Sequence, residues 1–404
     1  MPKKTVTIIG QGYVGLPLAH ACWINNYQVQ GIEIDPARRK LLESGKSPID
    51  DVHDKSILEM INSGTYRVYG DYKCLKDTQI VVICVPTPLG ETRKPDISIL
   101  NSVVRELATE LVNGTLIINE STSFPGTVRE VIADMVSRNF KGNAESLYFS
   151  AAPERINPGS NQGQIGSTPR VVGGLTKFAC EMTADFYRSL GQQVVTVSSC
   201  EVAEMSKLLE NTFRLVNISL VNQIEDFCFE IGIDMREVIE AASSKTYGFM
   251  PFWPGLGAGG HCIPVDPIYL QWSASKKGMD ISLITQAHTI NELRPLTIFK
   301  RVLGLLSVET NRSVHIAGIA YKSGVGDLRE SAAVKLGELF LKEGFEVFWS
   351  DARAKEVSQF KKYSGEKVGI LIINDVVRMT DIEAASVVVD LAGATIRGED
   401  VTGL

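Results

Sequence analysis

No long apolar segment occurs in this sequence of 404 residues. The longest apolar run, residues 80–85, is far too short to cross a bilayer, which takes about 20 residues of helix. The first residues lead directly into an alternating strand pattern, without the apolar segment of a signal peptide. We therefore predict a cytoplasmic protein that has no membrane partner.

Cysteine pairs and an excess of basic charge are also missing. The seven cysteines are scattered, and no two of them form a Cys-x-x-Cys pair. Such a set gives no basis for a disulfide framework or a metal cluster, and it fits a reducing compartment. The formal net charge of −6 lacks the basic field that general nucleic-acid binding needs. Disulfide scaffolds, metal sites and nucleic-acid partners are therefore not expected.

The length predicts two or three domains, and the first begins with a nucleotide-binding pattern. Residues 5–9 have a strand pattern, which is followed by GxGxxG at Gly10, Gly12 and Gly15 and then by helical spacing. In such a turn the first glycine allows the tight bend, the second admits a pyrophosphate, and the third lets the helix pack on the strand. A glycine-rich turn without a ligand is the alternative interpretation.

An acid stands near the end of the second predicted strand, residues 28–34. Glu33 has about the spacing at which a carboxylate accepts hydrogen bonds from the adenosine ribose hydroxyls, and this favours NAD. Arg38 and Arg39 leave NADP open, because a guanidinium there could hold a 2′-phosphate.

Polar residues follow three further predicted strands of the first domain. The strand at residues 80–85 is a continuous apolar run of the kind that is buried in a parallel sheet, and residues 115–119 form another buried strand. The third strand covers residues 146–150, and ligands bind at the carboxyl ends of such strands. The alternation of strand and helix predicts a doubly wound α/β domain that closes near residues 194–197. The candidate residues after the three strands are Thr87, Thr122, Glu154 and Arg155.

Residues 201–231 contain neither glycine nor proline and predict one helix that is about 45 Å long. Such a helix commonly joins domains or forms a subunit interface. Lys207 and Asn211 are four residues apart, so they project from one face of it. Isolated polar residues that face solvent are the alternative interpretation.

Residues 254–269 place one cysteine in a loop that is rich in glycine and proline. Cys262 is a soft nucleophile, and Asp266 follows four residues later, an arrangement that covalent thiol catalysis could use. The glycines at positions 255, 257, 259 and 260 permit backbone conformations closed to other residues and a close approach to a ligand. A buried, inert cysteine is the alternative, since lone cysteines are commonly buried.

A second strand, helix and strand pattern covers residues 313–349. Its first turn lacks GxGxxG and offers Lys322 and Arg329, which are side-chain cations suited to a diphosphate. Two nucleotide-type sites of different chemistry indicate two nucleotide ligands, one a cofactor and the other a handle on the substrate.

Taken together, these motifs resemble the UDP-glucose/GDP-mannose dehydrogenase family, the nucleotide-sugar 6-dehydrogenases. The resemblance covers nearly the whole chain and implies an α/β fold with two Rossmann-like doubly wound domains, joined by a long helix and a central all-helical domain. It implies an NAD-binding domain at 1–199, a helical dimerisation domain with the cysteine loop at 200–305, and a UDP-sugar domain at 306–404. The motifs that carry it include Gly10-x-Gly-Tyr-Val-Gly15, Val85-Pro-Thr-Pro88, Glu120-Ser-Thr122, Gly259-Gly-His-Cys-Ile-Pro-Val-Asp266 and Tyr321-Lys-x6-Arg-Glu-Ser331.

The resemblance implies a four-electron oxidation with NAD as the cofactor. The sugar C6 alcohol becomes an aldehyde, Cys262 captures it as a thiohemiacetal, a second NAD oxidises this to a thioester, and hydrolysis releases the uronic acid. By similarity, Lys207 and Asn211 stabilise the oxyanion. Asp266 and Glu154 handle or orient the proton and the water, and Thr122 helps to hold that water.

Residue by residue, the resemblance implies three overlapping sets. The catalytic set is Cys262, Lys207, Asn211, Asp266, Glu154 and Thr122. The cofactor-binding set is Gly10, Gly12, Tyr13, Val14, Gly15, Glu33, Arg38, Thr87 and Thr122. The substrate-binding set is Glu154, Arg155, Ile156, Lys207, Asn211, Phe252, Gly255, Gly259, Lys322 and Arg329.

The sequence around Cys262 is similar to the branch that oxidises UDP-N-acetylhexosamines. Members that act on UDP-glucose typically carry a lysine where this chain has Val265. We expect UDP-N-acetylglucosamine, oxidised for surface polysaccharide, with UDP-glucose and UDP-N-acetylmannosamine as alternatives. The segment from Lys322 to Asp327 departs from the family, which usually has an acid directly after the Lys-x pair.

Two other functions share parts of this pattern. A two-electron hydroxy-acid dehydrogenase would have the NAD domain and the long helix, but the second basic unit argues against it. A nucleotide-sugar sensor would bind without oxidising, but Cys262, Lys207, Asn211 and Asp266 argue against it. We also expect a homodimer through the long helix.

Overall fold

The computed structural model describes residues 4–49, 51–155, 168–307, 310–375 and 377–391, and the backbone of 401–403. The chain forms two compact units. Residues 1–210 and 268–277 make up the first unit, and residues 211–267 and 278–404 make up the second. In the described part of the chain, no helix is both long and apolar enough to cross a membrane.

The first unit contains an eight-stranded sheet in the order β3-β2-β1-β4-β5-β6-β7-β8. Neighbouring strands are parallel except β6 and β7, which are antiparallel. The strands are β1 Thr5–Ile9, β2 Gln28–Ile32, β3 Tyr66–Tyr69, β4 Ile80–Ile83, β5 Leu116–Asn119, β6 Tyr148–Ala151, β7 Arg170–Gly174 and β8 Val194–Val197. The helices are α1 Gly15–Ile24, α2 Pro36–Glu43, α3 Asp54–Asn62, α4 Ser98–Glu110, α5 Asp134–Asn139 and α6 Lys177–Ser189, with short 3-10 turns at Lys73–Asp77 and Ala144–Ser146 and a π-helical turn at Thr127–Ala133.

Alternate residues of the central strands enter two hydrophobic cores. Ile8, Val82 and Ile118 lie opposite one another across three adjacent strands and pack with α1, α3 and α6. Their neighbours along the strands, Ile9, Ile83 and Ile117, belong to the second core, which packs with α4 and α5. Burying one such side chain stabilises the fold by about 1.5–3 kcal/mol. Helices on both faces of a largely parallel sheet confirm the doubly wound architecture.

Four helices follow this sheet. They are α7 Cys200–Glu230, α8 Met235–Ser243, α9 Asp266–Lys276 and α10 Ser282–Gly304. Helix α7 has 31 residues, so the long helix predicted from the sequence is confirmed. Several large apolar side chains on it are exposed, namely Val202, Leu209, Phe213, Leu220, Ile224 and Phe227.

The second unit contains a six-stranded parallel sheet in the order β11-β10-β9-β12-β13-β14. Trp349, Ile316, Ile372 and Val389 are in register across its centre and enter one core. Its elements are β9 Ser313–Ala317, α11 Ala332–Lys342, β10 Glu346–Ser350, β11 Lys361–Lys362, β12 Val368–Ile373, α12 Met379–Glu383, β13 Ala385–Asp390 and β14 Val401–Gly403.

The predicted fold class is therefore confirmed, with two differences in detail. The strands predicted at residues 28–34 and 80–85 end earlier, at Ile32 and Ile83. The antiparallel strand β7 was not predicted, and it begins with the buried Arg170. The three-domain boundaries at 199/200 and 305/306 stay a prediction.

Candidate functional site

The GxGxxG turn is held by contacts of the protein itself at its first and third glycines. Gly10 has a φ of 92°, and its N–H donates to Ile32 O at 2.8 Å. A Cβ atom at Gly15 would lie 1.9 Å from the Gly10 carbonyl oxygen. At Gly12 the nearest atom to such a Cβ is Arg38 Nη1 at 3.7 Å. Space therefore remains at the glycine where a pyrophosphate was expected to approach.

Glu33 is buried beside this turn. Its Oε1 accepts from Asp35 N at 2.9 Å, and its Oε2 accepts from Gln11 N at 3.3 Å. Arg38 Nη1 lies 3.6 Å from Glu33 Oε2. Gln11, which the sequence analysis did not single out, is fully buried and accepts a hydrogen bond from Tyr66 OH at 2.9 Å. The protein thus orients the carboxylate of Glu33, and the Arg38 guanidinium forms an ion pair with it.

Three predicted site residues of the first unit meet after strands β4 and β5. Thr87 Oγ1 donates to Thr122 O at 2.7 Å, and Lys207 Nζ donates to Thr122 Oγ1 at 2.5 Å. Val85 N also donates to Ser121 Oγ at 2.9 Å. Both the backbone and the hydroxyl of Thr122 are therefore fixed, and the ammonium of Lys207 is placed on that hydroxyl.

Helix α7 contacts the same loop through a second residue, one that sequence reasoning missed. Both carboxylate oxygens of Glu204 accept backbone N–H groups, from Gly126 at 2.6 Å and from Val128 at 2.9 Å. Burial raises the pKa of the Glu204 carboxyl to about 8, although those two hydrogen bonds favour the ionised form. Glu204 precedes Lys207 by one helical turn, and an acid three residues before the lysine was the available signal.

Glu154 lies at the end of strand β6 with both oxygens engaged. Arg155 N donates to its Oε1 at 2.6 Å, and Arg170 Nη2 donates to its Oε2. The Arg155 side chain pairs instead with Glu210, at 2.6 Å and 3.0 Å. The carboxylate of Glu154 is thus held in one orientation, and Arg155 is tied to helix α7. Ile156 lies outside the described residues.

Arg170 also contacts two other buried residues, Glu120 and Tyr187. Glu120 Oε2 lies 3.6 Å from Arg170 Nη1, and Tyr187 OH donates to Glu120 Oε1. The Arg170 guanidinium also lies 4.7 Å from the centre of the Tyr187 ring. Burial raises the pKa of Glu120 to about 7, against the opposing field of Arg170. Glu120 belonged to a predicted motif but was not assigned a role.

Cys262 is half-buried and lies in the second unit. Its carbonyl oxygen accepts from Val265 N at 3.1 Å and from Asp266 N at 2.8 Å, so the cysteine immediately precedes helix α9. Asn211 Nδ2 donates to Asp266 Oδ2 at 2.5 Å. Helix α7 therefore supplies Lys207 to Thr122 within the first unit and Asn211 to Asp266 within the second.

Contacts and backbone conformations of the protein itself require glycine at several positions of the loop, without any ligand. Gly257 and Gly260 have φ values of 113° and 80°, as expected for glycine-only conformations. A Cβ atom at Gly259 would lie 2.6 Å from Glu330 O, whereas one at Gly255 would meet nothing within 4 Å. The close approach predicted for a ligand is, at Gly259 and Gly260, a close approach of the chain to itself.

The predicted diphosphate residues lie beside this loop in the second unit. Arg329 Nη2 donates to Asp327 Oδ2 at 2.6 Å and lies 3.2 Å from His261 Nδ1. Burial lowers the pKa of the Lys322 ammonium, and the field of Arg214 adds to this effect. Phe252 packs edge-to-face against Phe213, with ring centres 5.7 Å apart.

Comparisons with known proteins identify relatives over nearly the full length. Residues 4–191 match the NAD-binding domain of the UDP-glucose/GDP-mannose dehydrogenase family, and residues 201–293 match its central domain. The UDP-N-acetyl-D-mannosamine dehydrogenase of Methanocaldococcus jannaschii is 33% identical over 357 residues, which cover 87% of this chain and 80% of that protein. The UDP-N-acetyl-D-glucosamine 6-dehydrogenase of Pseudomonas aeruginosa is 31% identical over 350 residues, which cover 83% of this chain and 80% of that protein.

A solved structure shows the same fold. The UDP-N-acetyl-mannosamine dehydrogenase of Staphylococcus aureus matches with a TM-score of 0.86 at 26% identity, and the match covers 99% of this chain and 97% of that one.

Proposed function

The chain belongs to the UDP-glucose/GDP-mannose dehydrogenase family and is an NAD-dependent nucleotide-sugar dehydrogenase, and we propose that it oxidises the C6 hydroxymethyl group of a UDP-N-acetylhexosamine to a carboxylate. Relatives named for N-acetylmannosamine and for N-acetylglucosamine support this sugar class. UDP-N-acetylglucosamine remains the substrate expected from the cysteine motif. The product would serve surface polysaccharide synthesis, and the enzyme would act in the cytoplasm.

One observation carries the proposal. Helix α7 places an ammonium, Lys207, on Thr122 in the first unit and an amide, Asn211, on Asp266 in the second. Asp266 opens the helix that directly follows Cys262. A thiol, an ammonium, an amide donor and a carboxylate are the groups that oxidation through a thioester requires.

The first unit fits NAD. The turn leaves room at Gly12, and Glu33 presents a carboxylate fixed by two backbone N–H groups. Glu33 would accept from the ribose hydroxyls, and its pairing with Arg38 disfavours a 2′-phosphate at the same place. When bound, NAD accepts one hydride in each of the two oxidation steps.

In the proposed reaction the C6 alcohol loses a hydride and its hydroxyl proton and becomes an aldehyde. The Cys262 thiolate adds to the aldehyde carbon, and the resulting oxyanion takes up a proton, which gives a thiohemiacetal. Loss of a second hydride and of that proton gives a thioester. Water then attacks the thioester carbon and gives up one proton, the thiolate leaves, and the resulting carboxylic acid loses a second proton.

Different side chains have the chemistry that suits the different steps. Lys207 and Asn211 present N–H donors suited to an oxyanion on the reacting carbon. Asp266, which accepts from Asn211, is suited to exchange a proton with the sugar oxygen. Glu154, paired with Arg170, and Thr122 would orient the water that ends the reaction.

A panel of nucleotide sugars tests the function directly. The enzyme is incubated with NAD and UDP-N-acetylglucosamine, UDP-N-acetylmannosamine or UDP-glucose, and NADH and uronic acid are counted. We expect about two NADH per sugar consumed, from a hexosamine and not from UDP-glucose. One NADH per sugar would contradict the thioester route and favour a two-electron dehydrogenase. Binding without any NADH would favour a sensor.

We also propose that a second copy of the chain covers the exposed face of α7. The exposed apolar residues on α7 follow one another at intervals of seven or four residues, apart from the final step of three, so they form a single stripe. A stripe on a two-fold interface can pack on its own copy. Light scattering should give twice the chain mass, and Phe227→Glu should give the single mass, whereas the control Leu341→Glu on helix α11 should not. A single mass for the unmodified chain would contradict the proposal.

A further inference from the structure

We propose that Asn291 and Arg294, on helix α10, are positioning residues that hold the loop of Cys262 through its backbone. The inference rests on the proposed function of Cys262. Both side chains are buried, and neither belongs to the catalytic and binding sets described above.

Asn291 pairs with the backbone of one loop residue in both directions. Ala258 N donates to Asn291 Oδ1 at 2.7 Å, and Asn291 Nδ2 donates to Ala258 O at 3.0 Å. The amide thus satisfies a donor and an acceptor of the same residue, as a neighbouring strand would. A Cβ atom at Gly257 would lie only 3.1 Å from Asn291 Oδ1, so the glycine makes room for this approach.

Arg294 and a residue of α7 hold the start of the loop. Arg294 Nε donates to Gly255 O at 2.9 Å, and Gly255 N donates to Asn222 Oδ1 at 2.9 Å. Like Ala258, Gly255 therefore has both backbone groups bound to side chains of helices. Buried backbone groups without such partners would be unfavourable, so these side chains specify where the loop runs.

The Arg294 guanidinium is itself fixed by buried carboxylates. Its Nη2 donates to Glu225 Oε2 at 2.6 Å, and its Nη1 donates to Asp226 Oδ1 at 2.5 Å. Arg301 Nη1 neutralises the other side of the pair, at 2.7 Å from Glu225 Oε1. With both terminal nitrogens held, Nε is the donor that remains directed at the loop.

The far end of the loop is held separately. Gly260 N donates to Arg329 O at 2.9 Å. The segment between Gly255 and Gly260 is thus held at both ends and in the middle, and Cys262 follows two residues later. A glycine-rich segment has the largest backbone freedom of any composition, so a nucleophile placed after it needs such constraints.

Asn291→Ala removes both hydrogen bonds to Ala258, and Thr289→Ala, an exposed threonine on the same helix, is the matched control. We expect the kcat of Asn291→Ala for acid formation to fall about 10- to 100-fold, the contribution of two partly buried hydrogen bonds. The KM for NAD should not change. Amide hydrogen exchange of residues 255–262 should become faster by about tenfold or more. The rate at which Cys262 is alkylated should also differ from that of the wild type. Thr289→Ala should behave as the wild type.

Asn291→Asp distinguishes positioning from general support of the fold. The aspartate keeps the acceptor for Ala258 N but places an oxygen against Ala258 O. Protonation restores a donor, so lowering the pH from about 8 to about 6 should recover part of the kcat relative to the wild type. A pH-independent loss would overturn the proposal.

The exchange measurement separates this proposal from the proposed function. It needs no substrate. Faster exchange in Asn291→Ala and not in the control therefore supports the proposed positioning of the loop by Asn291, even if the sugar panel gives no acid. Wild-type exchange in Asn291→Ala would overturn the proposal, and so would faster exchange with unchanged kcat and alkylation. Acid formation by Cys262→Ser would refute the proposed function and leave the exchange result standing.

Discussion

The first strand of each sheet, β1 and β9, is followed by the same glycine turn, but the segments after the two turns differ. Gly10 follows β1 with a φ of 92°, and Gly318 follows β9 with a φ of 89°. Each N–H donates to the neighbouring strand at 2.8 Å, to Ile32 O and to Ser350 O. GxGxxG predicts the first turn, whereas the second was predicted only from its strand and helix pattern, in which the single Gly318 carries no signal.

The segments after the two glycines differ in length and chemistry. Helix α1 begins at Gly15, and no side chain caps its N-terminus. Helix α11 begins at Ala332, is capped by Ser331, and is preceded by a longer segment that carries Lys322 and Arg329. The first turn therefore leaves backbone N–H groups for an anion, whereas the second offers side-chain cations. We therefore predict different ligand chemistry at two turns that share the same strand geometry.

The largest expected effect comes from adding a methyl group to the shared glycine. A Cβ at Gly10 would lie 2.6 Å from Cys84 O, and one at Gly318 would lie 2.5 Å from the Asp375 Cβ. Gly10→Ala and Gly318→Ala should each cost about 1–3 kcal/mol of folding free energy. Gly10→Ala should also reduce NAD-dependent activity by about 100-fold or more, because the turn that admits the pyrophosphate is displaced. Thermal unfolding and NAD titration measure the two effects.

Two controls sharpen this comparison. Gly191→Ala adds a methyl group at a φ of 79° with nothing within 4 Å, so it reports backbone strain alone. Gly12→Ala should leave the melting temperature unchanged and raise the KM for NAD. If Gly12→Ala left the KM unchanged, the backbone of this turn would not be the pyrophosphate site.

The second turn is tested through its cation. Arg329→Ala removes a guanidinium whose donors suit a diphosphate, so the KM for the UDP-sugar should rise about 10- to 100-fold while the KM for NAD stays constant. Arg378→Ala, which removes an exposed arginine paired with Asp381 in the same unit, is the control and should change neither KM. A rise in the KM for NAD would break the assignment of one nucleotide to each turn.

Features set by residues close together in sequence could be predicted, whereas contacts between residues far apart in sequence could not. The strands, helices and GxGxxG turn follow from local patterns, and the prediction of the fold class was confirmed. The pairing of Lys207 with Thr122 joins residues 85 apart in sequence, and that of Arg170 with Glu154 forms across the unpredicted antiparallel strand. Such contacts depend on strand order, which local periodicity does not encode. Asn291 has no local signal at all, because an asparagine within a helix usually faces solvent.

The first sheet also holds two buried carboxylates, Glu120 and Glu154, on one buried arginine, Arg170, beyond the ends of β5 and β6. Tyr187→Phe removes a hydrogen bond that lowers the pKa of Glu120, so that pKa should rise above about 7. Since Arg170 joins Glu120 to Glu154, we expect the titration of Glu120 to give the pH–rate profile a limb near pH 7, and Tyr187→Phe should move that limb to higher pH by less than about one unit. Tyr27→Phe, whose hydroxyl pairs with Ser189, is the control. An unmoved limb would show that Glu120 does not act on the reaction through Arg170.

The smallest expected effect concerns Glu204. Its pKa is raised from 4.5 to about 8, so the folded protein holds an extra proton and stability should fall as the pH rises between these values. Glu204→Gln removes the titration and weakens one backbone hydrogen bond, a loss of about 1 kcal/mol near pH 5. The difference should shrink and then reverse toward pH 8, because only the wild type loses stability over that range. Glu201→Gln is the matched control on the same helix. Hydrogen bonding to Arg129 lowers the pKa of Glu201 to about 2, so the effect of that change should be constant over this range. A constant difference for Glu204→Gln as well would mean that the Gly126 and Val128 N–H groups keep Glu204 ionised despite its burial.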